Sequence, residues 1–192
     1  MIVIGHDPGK ISYAYSVLDF KMVHDKPVAK LLRCGLLNSP ITGFKNLPKQ
    51  VGDYTQEFLD IERGSNEQAT MYCVERFQGR GLKASLLETV NVAIGCGVLL
   101  FNNRNYQVSI YTPTAATWKN SVNRVCDLKD WYKRIRCTPH ELDATLIAMY
   151  GVYRYYNITP FSTFSEGDMF NLVAAVERTT TIPLRARRYK RA

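Results

Sequence analysis

Apolar residues cluster in five short runs along the chain, and each run has the length and residue types of a β-strand. An Asp-Pro-Gly-Lys turn separates the first two runs, and the third follows closely enough to form a meander with the second. The predicted strands are Met1–Gly5, Ile11–Phe20, Val28–Asn38, Ala69–Phe77 and Gln107–Pro113.

Apolar residues spaced three and four apart predict helices between and after these strands. The predicted helices are Phe44–Gly64, Gly79–Asn103, a short one near Leu128–Ile135, and Thr138–Tyr156, which Thr138 can cap. A basic, polar segment precedes the third helix, and beyond Asn157 the pattern fades and predicts only a short helix. The order β-β-β-α-β-α-β-α-α predicts a mixed α/β fold in which helices cover one sheet.

The composition fits one globular domain of 192 residues, with 46% hydrophobic and 22% charged residues. The most apolar stretch, Val92–Phe101, is too short to span a bilayer, and the N-terminus lacks the pattern of an export signal. Five cysteines without CxxC spacing argue against a structural zinc site and suit reduced thiols. We therefore expect a cytoplasmic protein.

The net charge of +8 raises the expectation of a polyanionic partner, and nucleic acid is the commonest one. Basic residues concentrate in two clusters, Arg185–Arg191 at the C-terminus and Lys129–Arg136, where aromatic residues are interspersed. The C-terminal cluster can equally be a solvated tail that aids solubility.

Three acidic residues interrupt apolar surroundings at the ends of predicted elements. Asp7 follows the first strand, Glu75 ends the fourth, and Asp143 lies in the helix Thr138–Tyr156, three residues after His140. Carboxylates at the ends of neighbouring strands converge, and a helix that crosses the sheet edge can add a third. Such a cluster repels itself unless cations bind, which favours hard Mg²⁺ or Mn²⁺.

Each of these residues, taken singly, has a structural explanation. Asp7 can be a turn former, Glu75 can pair with Arg76 at the surface, and His140 can simply begin a helix. Their joint occurrence in this order along the chain favours a metal site over three coincidences.

With these residues placed, the chain resembles the RuvC-type Holliday-junction resolvases, a branch of the ribonuclease H-like superfamily. The resemblance runs from Met1 to about Tyr156 and rests on "IGHDPGKISYAYSVLD", "CVERF", "GRGLKASLLETVNVAIG", "YTPTAATWK" and "HELDA". The family's Asp-Pro-Gly, its strand-four Glu, and its acid-or-His with an Asp three residues later match the residues Asp7, Glu75, His140 and Asp143.

The resemblance implies a ribonuclease H-like mixed five-stranded sheet flanked by helices over residues 1–156, followed by a C-terminal extension with a basic tail over residues 157–192. It implies a metal-dependent endonuclease that acts as a homodimer and resolves four-way DNA junctions by paired symmetric nicks. Two Mg²⁺ or Mn²⁺ ions would bind at Asp7, Glu75, His140 and Asp143. The long helix after Glu75 would form part of the dimer interface, while a helix buried within the monomer stays the alternative.

The resemblance also implies DNA contacts. Phe77 would unstack bases at the crossover, with Arg76 and Arg80 beside phosphates, and Lys119 and Lys129 would approach the scissile phosphate. The sequence departs from the family after Lys119, where "NSVNRVCDLKDWYKRIR" replaces a glycine-punctuated stretch. The cations of this stretch can supply phosphate contacts instead: Arg124, Lys133, Arg134 and Arg136.

Three other functions remain open on the sequence. An actin- or sugar-kinase-like ATPase needs a duplicated domain and a second phosphate loop, for which this chain is too short. A nuclease-fold protein that only binds DNA would not need all four acid and histidine positions. The main alternative is a related nuclease acting on forks, flaps or RNA–DNA hybrids.

A short, stand-alone resolvase with a basic tail would suit a bacteriophage protein that acts in the host cytoplasm.

Overall fold

The computed structural model describes residues 1–8, 13–24, 26–37, 71–76, 109–158 and 166–179. Several sequence predictions fall outside these residues: the helices Phe44–Gly64 and Gly79–Asn103, the side chains of Phe77 and Arg80, and the basic cluster Arg185–Arg191. They stay predictions.

The five predicted strands form one mixed sheet in the order β3-β2-β1-β4-β5. They are β1 (Ile2–Asp7), β2 (Tyr13–Val23), β3 (Lys26–Leu37), β4 (Met71–Val74) and β5 (Ser109–Tyr111). The first three form an antiparallel meander, whereas β4 runs parallel to both β1 and β5. The carboxyl ends of β1, β4 and β5 therefore lie at one edge of the sheet.

Strand β1 extends two residues beyond its predicted end and therefore includes Asp7. All six of its residues are buried, including the two polar ones at its carboxyl end. Pairing with strands on both sides supplies the backbone partners that a buried strand requires.

Four helices lie within the described residues: α1 (Ala115–Val122), α2 (Leu128–Arg134), α3 (Pro139–Tyr155) and α4 (Glu166–Thr179). The helix α1 corrects the prediction of an irregular polar segment, since Thr114 caps it and Trp118 and Val122 bury one face. The helix α4 corrects the prediction of only a short helix after Asn157.

Helix α3 packs across the sheet, chiefly over β1 and β2, and is buried along most of its length. Two glycines allow the close approach. A Cβ on Gly5 would lie 2.1 Å from the carbonyl oxygen of Ala144, and one on Gly151 would lie 2.1 Å from Sγ of Cys73. The core fills the space between this face of the sheet and the helices.

Helix α4 packs against β3 and α3. The Sγ atom of Cys34 lies 3.7 Å from the carbonyl oxygen of Val176, which it approaches as a weak donor. The residues Met169, Val173 and Val176 are buried at helical spacing. The predicted division of the chain after residue 156 stays a prediction.

The cysteines of the described part, Cys34, Cys73, Cys126 and Cys137, are free thiols and buried. Burial raises the pKa of the Cys137 thiol to about 12, and the carboxylates of Glu141 and Glu177 add to the rise. In the same part of the chain, no helix combines the length and apolar character needed to cross a membrane.

Candidate active site

The alternation of side chains along β1 and β4 directs two acidic residues toward helix α3. Gly5 and Cys73 face this helix, so Asp7 and Glu75, each two residues further on, lie on the same side of the sheet. The amide of Glu75 donates a 3.0 Å hydrogen bond to the carbonyl of His6, which continues the parallel pairing beyond β4. Two carboxylates distant in sequence thus reach one sheet edge.

Helix α3 brings a histidine and a third carboxylate to this edge. Thr138 and Glu141 form a reciprocal capping box that fixes the first turn of the helix. His140 and Asp143 lie one turn apart, and Nδ1 of His140 is 2.7 Å from Oδ2 of Asp7. The carboxylate must accept, so Nδ1 carries the proton and Nε2 is left as the second functional nitrogen of the ring.

Helix α1 adds a cation and an indole. The Nζ atom of Lys119 donates a 3.0 Å hydrogen bond to Oδ2 of Asp143. The neighbouring Trp118 is fully buried, and its Nε1 donates a 2.7 Å hydrogen bond to Oε2 of Glu75. Consecutive residues of one helix therefore contact carboxylates from two other elements.

Helix α2 completes the site with a phenol. The hydroxyl of Tyr132 donates to Oδ1 of Asp143, so both oxygens of this carboxylate are engaged by protein donors. Leu128 and Trp131 anchor α2 in the core, which holds Tyr132 over the sheet edge. We call Asp7, Glu75 and Asp143 together the acidic cluster.

Burial and the neighbouring carboxylates raise the pKa values of Glu75 and Asp143. Burial raises the pKa of Glu75 to about 7, and the charges of Asp7 and Asp143 contribute to the rise while the indole of Trp118 opposes it. Burial and the charge of Asp7 likewise raise the pKa of Asp143 above its usual range. A cation placed among these groups would relieve this unfavourable burial of negative charge.

The pKa values of the groups that donate to the acidic cluster at Asp7 and Asp143 are raised as well. The hydrogen bond to Asp7 raises the pKa of His140, although burial works against it. Burial alone would lower the pKa of Lys119, but the charge and hydrogen bond of Asp143 outweigh burial and raise it. Burial, together with the charge of Asp143, raises the pKa of Tyr132, so its hydroxyl stays protonated and donates.

The donor set suits a hard divalent cation in its chemistry, since it offers three carboxylates and an imidazole. Within the described residues, however, no three His, Cys, Asp or Glu side chains are placed to hold a metal ion as they stand. The carboxylates accept hydrogen bonds from protein donors instead. His140 donates to Asp7, Trp118 donates to Glu75, and both Lys119 and Tyr132 donate to Asp143. A metal ion that binds Asp143 would therefore meet an oxygen that already accepts a hydrogen bond from Tyr132 or Lys119.

The structure brings together all five residues that the sequence analysis selected for chemistry, namely Asp7, Glu75, Lys119, His140 and Asp143. Trp118 and Tyr132 were missed. The available signal was weak: Trp118 directly precedes the selected Lys119, and Tyr132 lies inside the basic cluster.

The expected DNA contacts within the described residues are solvent-exposed, as charged groups that meet phosphates must be. This holds for Arg76, Arg124, Lys129, Lys133, Arg134 and Arg136. Arg76 follows Glu75, and its backbone forms an isolated parallel β-bridge with Thr114, the cap of α1. Arg76 therefore lies at the edge of the site. Lys129 and Lys133 are on the same helix as Tyr132, whereas Arg134 pairs with Asp130 and stacks on Trp131.

No protein-family model and no curated protein sequence matches the chain. Among solved structures, it is similar to RuvC of Thermus thermophilus, with 17% identity, coverage of 82% of this chain and 97% of that one, and a TM-score of 0.61. A second structure, T. thermophilus RuvC in complex with a Holliday junction substrate, gives 16% identity, 81% and 96% coverage, and a TM-score of 0.60. The similarity confirms the predicted ribonuclease H-like fold and, at the level of the fold, the resemblance to RuvC-type resolvases.

Proposed function

We propose that this protein is a metal-dependent endonuclease that resolves four-way DNA junctions by paired symmetric nicks, acting as a homodimer. The observation that carries the proposal is the meeting of Asp7, Glu75, His140 and Asp143 beside Lys119 at one edge of the sheet. The fold gives further support, because the similar T. thermophilus RuvC has been solved with a Holliday junction substrate.

In this proposal Asp7, Glu75, Asp143 and His140 would hold two Mg²⁺ or Mn²⁺ ions. Bound divalent ions activate water and stabilise the charge that develops on a phosphodiester during hydrolysis. The residues of the chain keep the carboxylates oriented and partly shielded from solvent. Asp7 and Asp143 retain only 9% and 8% of their side-chain exposure.

His140 is proposed as a general base or as the remaining metal ligand. Its Nδ1 proton is held by Asp7, which fixes the ring and leaves Nε2 for a water molecule or a metal ion. The side chain is 40% exposed, so Nε2 can be reached from solvent.

Lys119 is proposed to contact the scissile phosphate. It is the cation of the described site nearest to the carboxylates, and its side chain is 36% exposed. A positive charge there would stabilise the phosphorane-like transition state. The exposed cations Arg76, Lys129 and Lys133 would then hold the flanking phosphates without reading sequence. Phe77 and Arg80, which lie outside the described residues, keep their predicted roles beside the crossover.

The test is cleavage of a labelled substrate panel by the purified protein in Mg²⁺: a four-way junction, a fork, a flap, a linear duplex and an RNA–DNA hybrid. We expect two nicks placed symmetrically in strands of like polarity on the junction, no cleavage in EDTA, and little cleavage of the linear duplex. Cleavage of the fork, flap or hybrid in preference to the junction would replace the proposed substrate with the main alternative. No metal-dependent cleavage of any substrate would overturn the nuclease proposal.

A further inference from the structure

We infer that the Lys119 ammonium is the internal counter-cation of the metal-free site and that divalent metal binding displaces it from Asp143. The inference rests on the proposed function, because it assumes that the acidic cluster binds metal. It adds a role for Lys119 before DNA arrives: the side chain holds the carboxylates together without metal and becomes available to a phosphate only when metal is bound.

The contacts of Asp143 supply the first argument. Tyr132 donates to Oδ1 and Lys119 donates to Oδ2, so both carboxylate oxygens are engaged while the side chain is only 8% exposed. A metal ion that coordinates Asp143 must therefore approach an oxygen that already accepts a hydrogen bond from one of these two donors. The ammonium is the donor that a second positive charge repels, so Lys119 is the one expected to leave.

The charge distribution supplies the second argument. The positive charge of Lys119 interacts most strongly with Asp143, to which it also donates a hydrogen bond, and then with Glu75 and Asp7. It therefore lies where the fields of all three carboxylates overlap, and such a position also favours a divalent cation.

The surroundings of Lys119 supply the third argument, since two aromatic rings contact its ammonium and part of the side chain is open to solvent. Its Nζ lies 4.9 Å from the ring centroid of Trp118 and 5.9 Å from that of Tyr132, within the range of cation–π attraction. The side chain is also 36% exposed, so the ammonium can swing toward solvent while its stem remains against the rings.

The test is Mn²⁺ binding to the full chain without DNA, measured by isothermal titration calorimetry. The variant Lys119→Met removes the competing charge, and we expect it to bind Mn²⁺ on the order of tenfold more tightly than the original protein. Lys119→Gln, which keeps a polar end, should shift affinity in the same direction if the methionine variant fails to fold. The matched control is Lys21→Met, because that lysine is exposed and pairs with Asp19 at the opposite end of the sheet.

The outcomes separate the inference from the proposed function. Mn²⁺ affinity that is unchanged or weaker in both Lys119 variants, but lost in Asp143→Asn, would overturn the displacement and leave the metal site standing. Absence of Mn²⁺ binding in the original protein and in every variant would overturn both. An equal gain in Lys21→Met would show that net charge, not the position of Lys119, sets the affinity, and would also overturn the inference.

Discussion

Each carboxylate of the acidic cluster accepts a hydrogen bond from a residue outside its own strand or helix. Asp7 pairs with His140, Glu75 with Trp118, and Asp143 with Lys119 and Tyr132. A buried carboxylate without such donors would cost several kcal/mol or take up a proton. The pairings therefore allow three acids to coexist at one sheet edge without metal. They also fix the direction in which each carboxylate presents its oxygens.

At this scale, Asp7→Asn and Glu75→Gln test the proposed metal ligands. Both changes preserve shape but remove a negative charge, so cleavage in Mg²⁺ should fall by about 100-fold or more. Junction binding, measured by gel shift in Ca²⁺ or EDTA, should persist because the exposed cations are untouched. Asp130→Asn is the matched control, since that acid only pairs with Arg134 at the surface of α2. Normal cleavage by Asp7→Asn would show that the site has been misassigned.

Trp118→Phe tests the positioning of Glu75. The substitution keeps an aromatic ring in the core but removes the indole donor to Oε2 of Glu75. We expect Mn²⁺ affinity and cleavage rate to fall about 10- to 100-fold, as is typical when a residue that orients a metal ligand is lost. Trp131→Phe is the control for packing, because Trp131 is buried in the same core but stacks on Arg134. Equal effects of the two changes would reduce the role of Trp118 to packing.

Among the elements, the contact between β1 and α3 positions the site most directly. Strand β1 carries Asp7, helix α3 carries His140 and Asp143, and Gly5 allows the two backbones to approach closely. The capping box at Thr138 fixes where the helix begins, and therefore which turn faces Asp7. A one-residue shift in either element would turn these side chains away from each other.

Gly5→Ala tests this contact. The added Cβ would lie 2.1 Å from the carbonyl oxygen of Ala144 and 2.8 Å from Cβ of Ala148, one helical turn further along α3. The helix must therefore move away from β1. We expect a loss of about 3 kcal/mol in the free energy of unfolding, measured in urea, because a rigid backbone atom cannot yield as a side chain does.

Gly35→Ala is the matched control for the β1–α3 contact. The atoms nearest to its Cβ would be Cε1 and the hydroxyl oxygen of Tyr15, both at 3.2 Å, on the meander side of the sheet. Its effect should stay within about 1 kcal/mol of neutral. A Gly5→Ala variant as stable as the Gly35→Ala variant would contradict the close packing of α3 on β1.

Across the whole molecule, the positive charge complements the acidic site. The chain carries a net charge of +8, and exposed cations of the described residues lie beside the site: Arg76 directly follows Glu75, and Lys129 and Lys133 are on the same helix as Tyr132. Under the proposed function these cations would attract DNA through phosphate contacts. The proposed homodimer would place two such sites on one junction.

The double variant Lys129→Gln with Lys133→Gln tests this arrangement. If both lysines meet phosphates, the slope of log K against log salt for junction binding should fall in magnitude by up to about 2. The control is Lys21→Gln with Lys30→Gln, which removes the same charge from the far end of the β2–β3 pair. Gel-shift titrations at salt concentrations between about 50 and 200 mM give the slope for each double variant and so compare the two. Equal slopes for the two double variants would place the DNA elsewhere.

The elements predicted best are those with a strong local pattern. The five strands and the helix at Thr138 follow from apolar runs and from a cap with Pro139 behind it. Helix α1 was missed because Thr, Lys, Asn and Ser dominate it and only Trp118 and Val122 are buried. Helix α4 was underestimated because the stretch before it, residues 157–165, mixes Ser, Thr and Pro with isolated apolar residues and shows no helical period.

The sequence alone determined where the acidic residues lie along their elements, because strand alternation and helical spacing are local properties. Only the tertiary structure decided which donor meets which carboxylate. The contacts His140–Asp7, Trp118–Glu75 and Lys119–Asp143 join residues 133, 43 and 24 positions apart. Such pairings depend on how the helices pack on the sheet, and no local pattern in the chain encodes that packing. The same packing places a lysine ammonium among the carboxylates, which the residue order by itself could not reveal.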